Sequence, residues 1–228
     1  MIFFGNFHTD TADFDELVKA VQDSFGTPTV HTGDVGVYVG VEYHYDRDKG
    51  SVRLTQMKYV NKLLEDLKVT KTKHTPADDQ FMNIDHGSPV SDYKVFLSIL
   101  MCVFYLGSKT RPDLQSYVTF LATRSADCRV QDQAKLDRVV HFLNFTRTRG
   151  IVLRIQGTTM IESDDASYAI HERARSQSAM HLTLGIDGLP PPGYGGPILV
   201  KCNIQKLVAT SSFDLYCQTW GLTRVSLA

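Results

Sequence analysis

The sequence predicts an α+β chain, and three features carry that prediction. Val95, Phe96, Ile99, Leu100, Val103, Phe104 and Leu106 recur at helical spacing, as do Leu114, Val118 and Leu121, and then Ala134, Leu136, Val139, Val140 and Leu143. Val35, Val37, Val39, Val41, Tyr43 and Tyr45 instead alternate with other residues, the period of a strand with one buried face. From Ile151 onward short apolar runs bounded by turn residues bring strands back.

Taken in order, Ile2-Phe3-Phe4 is a short strand signal, and Phe14, Leu17, Val18, Val21 and Phe25 form a helical stripe ending at Gly26. Asp48-Lys49-Gly50 turns the strand of alternating valines back onto Ser51 to Leu54. Thr55 is positioned to cap the next helix, whose apolar face is Met57, Val60, Leu64 and Leu67. Thr70 to Ser91 is polar, contains Pro76 and Pro89, and reads as a linker. Residues 95–106 are apolar almost all round, so that helix is expected in the core, stopped by Gly107. Pro112 and Asp113 suit the first turn of the helix that follows, reached through a cationic connection at Lys109 and Arg111. The helix around residues 134–143 carries Lys135 and Arg138, with Arg147 and Arg149 beyond it and Arg124 and Arg129 before it. This is the best candidate for contacts with a nucleic-acid backbone, against the plain alternative of a solvated charged face. Ile151 to Ile155, Thr159 to Ile161, His181 to Leu184 and Ile198 to Lys201 are expected strands, and Gln205 to Leu222 an expected helix. The proline- and glycine-rich run 189–197 is read as a loose loop.

With 228 residues, 43% of them apolar, the chain is long enough to bury a sizeable core. Its net charge of −1 supplies no global attraction to nucleic acid, so such binding has to come from a local patch. Cys102, Cys128, Cys202 and Cys217 are far apart, which argues for free thiols in a reducing compartment and against a structural zinc site. No secretory signal or membrane span is evident, so an intracellular protein, cytoplasmic or nuclear, is expected. Neither a glycine-rich phosphate loop nor a Ser/His/Asp set stands out, and the 8 histidines are scattered.

Several segments together resemble one known family. Leu54-Thr55-Gln56-Met57-Lys58-Tyr59-Val60 with Leu63-Leu64 is similar to "L-x-Q-x-x-Y-I…LL", Thr75-Pro76 to "TP", and Tyr105-Leu106 followed by Arg111-Pro112-Asp113-Leu114 to "YL…TRPDI". Phe142-Leu143 and Thr146 fall in register with "YLkGT", Phe145 standing at the usual glycine. Further on, Ser163 to Ala169 resembles "SDADWA", Arg175-Ser176-Gln177-Ser178 "RKSTS", Ile198 to Gln205 "ISWKSKKQ", and Val208 to Tyr216 "VALSSTEAEY". In this order the segments resemble the reverse transcriptase and RNase H-like modules of Ty1/copia-type retrotransposon polyproteins.

The resemblance implies residues 1–75 as the end of a reverse-transcriptase palm with a thumb helix, 76–150 as a helical thumb and connection region, and 151–228 as a partial α/β RNase H-like domain. It also implies magnesium, which both activities use through clustered carboxylates. The family's Tyr-x-Asp-Asp would stand just before Met1, and Asp46 and Asp48 flank a turn rather than replace it, so polymerase activity is not expected of these residues. For RNase H chemistry, about four carboxylates grip two metal ions about 4 Å apart. Asp165 falls on the first position, with Asp164 as a register alternative, and is the one vestigial catalytic and metal-binding candidate. The second falls on Phe213, and the neighbouring Asp214 is a weak substitute because one helical step turns its side chain by about 100°. No acid for the remaining positions is evident before Ala228, so no productive metal binding is expected. Met101 at the family's small core glycine and Val200 at its tryptophan agree with decay.

The expected product is a truncated, catalytically inactive pseudoenzyme that keeps weak binding to RNA–DNA hybrid through Arg111, Arg124, Lys135, Arg138 and Arg147. Two alternatives stay open. One is a fragment of a competent polymerase completed upstream, and the other is a protein-interaction module that uses an unpaired sheet edge, with no membrane role in either case.

Overall fold

The computed structural model describes residues 11–28, 30, 33–84, 86–154, 159–171, 175–185 and 196–204. The chain divides into two units, Met1–Gly33 and Asp34–Ala228. In the first, helix α1 (Thr11–Phe25) keeps Phe14, Leu17, Val18 and Val21 half-buried and its other described side chains up to Phe25 exposed, as the stripe predicts. The expected strand at Ile2 to Phe4 lies outside the described residues, as do the expected helix from Gln205 and most of the proline-rich run.

The larger unit is mixed α+β, with two antiparallel sheets among its described residues. The alternating run 35–45 is not one strand but a hairpin of β1 (Val35–Tyr38) and β2 (Val41–Asp46). Val39 and Gly40 turn it with φ of 47° and 74°, the left-handed pair that a two-residue hairpin loop requires. Gly40 adopts this freely, whereas Val39, β-branched, is strained there. The turn also reverses the faces. Because Val37 pairs with Glu42 and Tyr38 with Val41, Val35 and Val37 lie on the face opposite Val41, Tyr43 and Tyr45. Val35 and Val37 are accordingly exposed, while Tyr43 and Tyr45 share a half-buried face with Val52 and Leu54 of β3 (Ser51–Thr55).

Strand β4 (Ile151–Arg154) completes this sheet against β3, in the order β1-β2-β3-β4. The strand expected to open the last domain therefore belongs to the first sheet. The second sheet is a meander of β5 (Thr159–His171), β6 (Arg175–Gly185) and β7 (Pro197–Ile204). Its first two strands run well beyond the predicted spans. The Thr119 hydroxyl donates to the Cys202 carbonyl at 3.2 Å and so joins β7 to the helices.

The core is helical. Helices α2 (Met57–Asp66), α3 (Tyr93–Lys109), α4 (Gln115–Thr123) and α5 (Val130–Phe145) contribute Leu64, Phe96, Leu100, Val103, Leu121, Leu136 and Leu143 to one cluster. Helix α3 is buried on one side rather than all round, since Val95 and Met101 are exposed. Nor does Gly107 stop it. The helix runs on to Lys109 with Gly107 inside, because a Cβ there would sit 3.1 Å from Gln115 Oε1 and 3.4 Å from Val118 Cγ2. The glycine serves close contact with the next helix, which a 3-10 turn (Pro112–Leu114) leads into. Thr55 does not cap α2 either. Its hydroxyl donates to Glu42 Oε2, and the same carboxylate accepts from the Met57 amide at 3.2 Å, putting a negative charge at the start of α2.

Residues 70–91 are not a linker. Phe81 is 2% exposed, and Ala77, Met82, Ile84 and Val90 pack against the helical cluster. The polar composition that reads as flexible in sequence is instead matched to donors on α5 and to the Pro89–Arg129 bridge.

Candidate nucleic-acid interface

The residues that carry the resemblance are far apart in sequence, and many of them converge in space. Arg111 is 1% exposed. Its Nε and Nη2 donate to the two carboxylate oxygens of Asp113 at 2.9 and 2.8 Å, a bidentate pair. Nη1 and Nη2 also donate to the Thr146 carbonyl and hydroxyl oxygens at 3.1 and 2.7 Å, closing the start of α4 onto the end of α5. The guanidinium lies 5.7 Å from the centre of the Phe142 ring. Next to it, buried Thr110 donates its hydroxyl to Gln56 Oε1 at 2.9 Å, which ties in the residue preceding α2. Tyr59 and Tyr105 meet edge to face at 5.6 Å, and the Tyr105 hydroxyl donates to the carbonyl of strained Val39. Burial, and a hydrogen bond with Cys102, push the Tyr59 phenol up to about 12.

Arg111 therefore has no exposed surface to offer a phosphate, and in this structure it is a structural clamp. Most of the remaining predicted cations also turn inward. Arg124 and Lys135 flank buried Asp132, at 3.6 and 3.9 Å, and Lys135 lies over the rings of Phe81 and Phe120 while donating to the Asn83 carbonyl. Arg138 donates to Asp78 Oδ2, Thr75 Oγ1 and the Ala77 carbonyl, at 3.0, 3.0 and 3.2 Å. Arg129 pairs with Asp127, whose carboxyl it holds below the usual range, and also reaches the Gly87 carbonyl. The cationic side of α5 thus fastens residues 75–87. Of the predicted set, Arg147 is exposed, its guanidinium donating to Asn144.

Sequence reasoning missed Lys68, Lys71 and Lys73, all exposed beside the end of α5. Three lysines within Lys68-Val69-Thr70-Lys71-Thr72-Lys73 were signal enough, but the run sits at the start of the supposed linker.

Asp165 is exposed on β5, its backbone paired with Ala179 of β6. Among the described residues no group of three His, Cys, Asp or Glu side chains is placed to hold a metal ion, so those residues do not fit a two-metal cage by themselves. Asp214 lies outside the described residues. Cys102, Cys128 and Cys202 are free thiols, and burial raises those of Cys128 and Cys202 above the usual range. No described helix is long and apolar enough to cross a membrane.

No family model, curated protein or solved structure matches the chain.

Proposed function

We propose that these residues are a Ty1/copia-type retrotransposon fragment that catalyses neither polymerisation nor hybrid cleavage and binds RNA–DNA hybrid weakly. In this reading β1–β3 are the end of a palm, α2–α5 a thumb and connection, and β5–β7 the opening strands of an RNase H-like domain. One observation carries it. Of the segments picked out by resemblance, Arg111 to Asp113 meets Thr146 at a single buried guanidinium, Gln56 accepts from Thr110 beside it, and Tyr59 packs edge to face on Tyr105. Motif residues that cooperate in holding a fold persist for structural reasons even where the chemistry is gone, which suits a remnant. Phe213 at the position of the second carboxylate suits it as well.

The test is a magnesium-dependent cleavage assay on labelled RNA–DNA hybrid, with Asp165→Asn as control. The expected result is no cleavage by either protein; cleavage by the parent that disappears in the variant overturns the inactive reading. The mass and N-terminal sequence of the endogenous product decide a separate point. A product reaching upstream through Tyr-x-Asp-Asp makes these residues part of a potential polymerase.

A protein-interaction role rests on a different observation. Val35, at 66% exposure, and Val37, at 54%, stand on β1, the edge of this sheet among the described residues, where a partner's strand can pair. Protein binding insensitive to salt, with no hybrid bound, favours that role.

A further inference from the structure

Three pairs of a hydroxyl residue followed by proline lie among the described residues: Thr27-Pro28, Thr75-Pro76 and Ser88-Pro89. Their surroundings differ. The Ser88 carbonyl accepts from the Val130 amide at 3.0 Å, and Pro89 forms a bridge with Arg129, so that backbone is held against the start of α5. Thr75 stands instead within residues 69–78, which form neither helix nor strand, and residues 70–75 are all exposed. The proline that follows restricts Thr75 to extended backbone and removes the next amide donor. An enzyme that reads an extended segment with proline after the hydroxyl meets no secondary structure to melt here.

The second difference lies in what the hydroxyl touches. Thr75 Oγ1 accepts from Arg138 Nη2 at 3.0 Å, while Arg138 Nη1 donates to Asp78 Oδ2 at 3.0 Å and Nη2 also reaches the Ala77 carbonyl at 3.2 Å. Of the three hydroxyls, that of Thr75 is the one that meets a guanidinium among the described residues. Toward Arg138 it is an acceptor, so its own proton stays available for transfer. A group attached to this oxygen is placed beside a cation from the start. A phosphate there carries a charge of about −1.5 to −2 at pH 7 and three acceptor oxygens, the geometry an arginine fork matches. The present partner is a weaker competitor, because Asp78 brings one negative charge and its side chain is 53% exposed.

We propose that Thr75 is a phosphorylation site for a proline-directed protein kinase, with Arg138 as the group that receives the phosphate. Thr75 Oγ1 attacks the γ-phosphorus of ATP, the bond from that phosphorus to the β,γ-bridging oxygen breaks, ADP leaves, and the hydroxyl proton passes to the catalytic aspartate of the kinase. The phosphate then draws Arg138 away from Asp78, whose carboxylate it repels. The contact between residues 75–78 and α5 changes from a carboxylate pair to a phosphate pair. The site stands or falls independently of the function proposed above.

The test incubates the folded chain with a purified cyclin-dependent kinase, magnesium and ATP, and maps the phosphate by mass spectrometry. The proteins are the parent, Thr75→Val, Pro76→Ala, Arg138→Gln and Arg138→Lys, each shown to be folded by a thermal melt before the reaction. Expected are phosphate on Thr75 of the parent, no phosphate at that position in Thr75→Val, and loss of most of it in Pro76→Ala. Phosphorus NMR then identifies the partner. The phosphate of the parent should titrate at lower pH than that of Arg138→Gln, because the guanidinium favours the dianion, and Arg138→Lys, which keeps the charge without the fork, should fall between them. No phosphate on Thr75 of the folded parent overturns the site, as does phosphate on Thr27 or Ser88 while Thr75 stays unmodified. Full modification of Pro76→Ala overturns the proline-directed class of kinase. Equal titration midpoints in the parent and Arg138→Gln overturn Arg138 as the receiving group.

Discussion

The helices α2–α5 and the sheet β1–β4 bury apolar side chains to different depths. Phe96, Leu100, Val103 and Leu106 on α3 are fully buried, while Tyr43, Val52, Leu54 and Ile151 on the sheet are half-buried and Val35 and Val37 are exposed. The helical region also draws charges inward, through Arg111 and Asp132, each 1% exposed, whereas Arg47 and Asp34 beside the sheet pair near 43% and 44% exposure. A pair as wet as the latter contributes little to stability. Cohesion therefore resides in the helices, and the first sheet is the more weakly buried of the two regions.

The sharpest way to break this contrast is Arg111→Ala. It leaves buried Thr146 without its donor, breaks the pair with the partly exposed Asp113 and empties the space of a fully buried side chain, and a loss of about 3–5 kcal/mol is expected in urea unfolding, or no folded protein at all. Arg111→Lys should recover only part, since an ammonium cannot repeat the fork. Leu100→Ala, in the fully buried cluster, should cost about 2–5 kcal/mol. Leu54→Ala, half-buried on the sheet, should cost clearly less in the same denaturation series; equal losses would erase the distinction between the regions.

Smaller effects sharpen it. Val39→Asn suits the left-handed turn better than a β-branched residue and should stabilise the protein by about 1 kcal/mol, seen as a higher melting temperature. A fall in stability would mean that the Val39 side chain has packing that its 62% exposure does not suggest. The least effect concerns His181 on β6, where burial lowers the pKa below the ordinary 6.5. Above that value the imidazole is neutral in both states. As pH falls through it, the unfolded chain takes up the proton first, so stability declines toward the folded pKa. Denaturation midpoints above and below about pH 6.5 should show this decline, and His181→Leu should flatten it.

The sequence made the helical middle legible because its signal is local. The spacing of Leu114, Val118 and Leu121, and of Leu136, Val139, Val140 and Leu143, predicts faces that are buried in the structure. The same logic misread residues 70–91, where Thr75, Asp78 and the Gly87 carbonyl look unpaired until α5 is folded against them. The candidate interface fared similarly. Charge and spacing marked Arg124, Lys135 and Arg138, but the carboxylate each meets is chosen by the fold, Asp132 between the first two and, for Arg138, Asp78, which lies 60 positions away.

What the sequence by itself determined is therefore an α+β chain with amphipathic helices at its centre, because the 3.6-residue and two-residue periods are written in neighbouring residues. The tertiary structure alone decided that Val39-Gly40 folds one alternating run into two strands with reversed faces, and that β4 closes the first sheet. It also decided that Arg111 is a clamp, and that Lys68, Lys71 and Lys73 are exposed where Lys135 and Arg138 of α5 are engaged. The closing of β4 on β3 and the bond of Arg111 to Thr146 follow from pairings between distant segments, whereas the Val39-Gly40 turn is local but set by backbone conformation that alternation of side chains does not show.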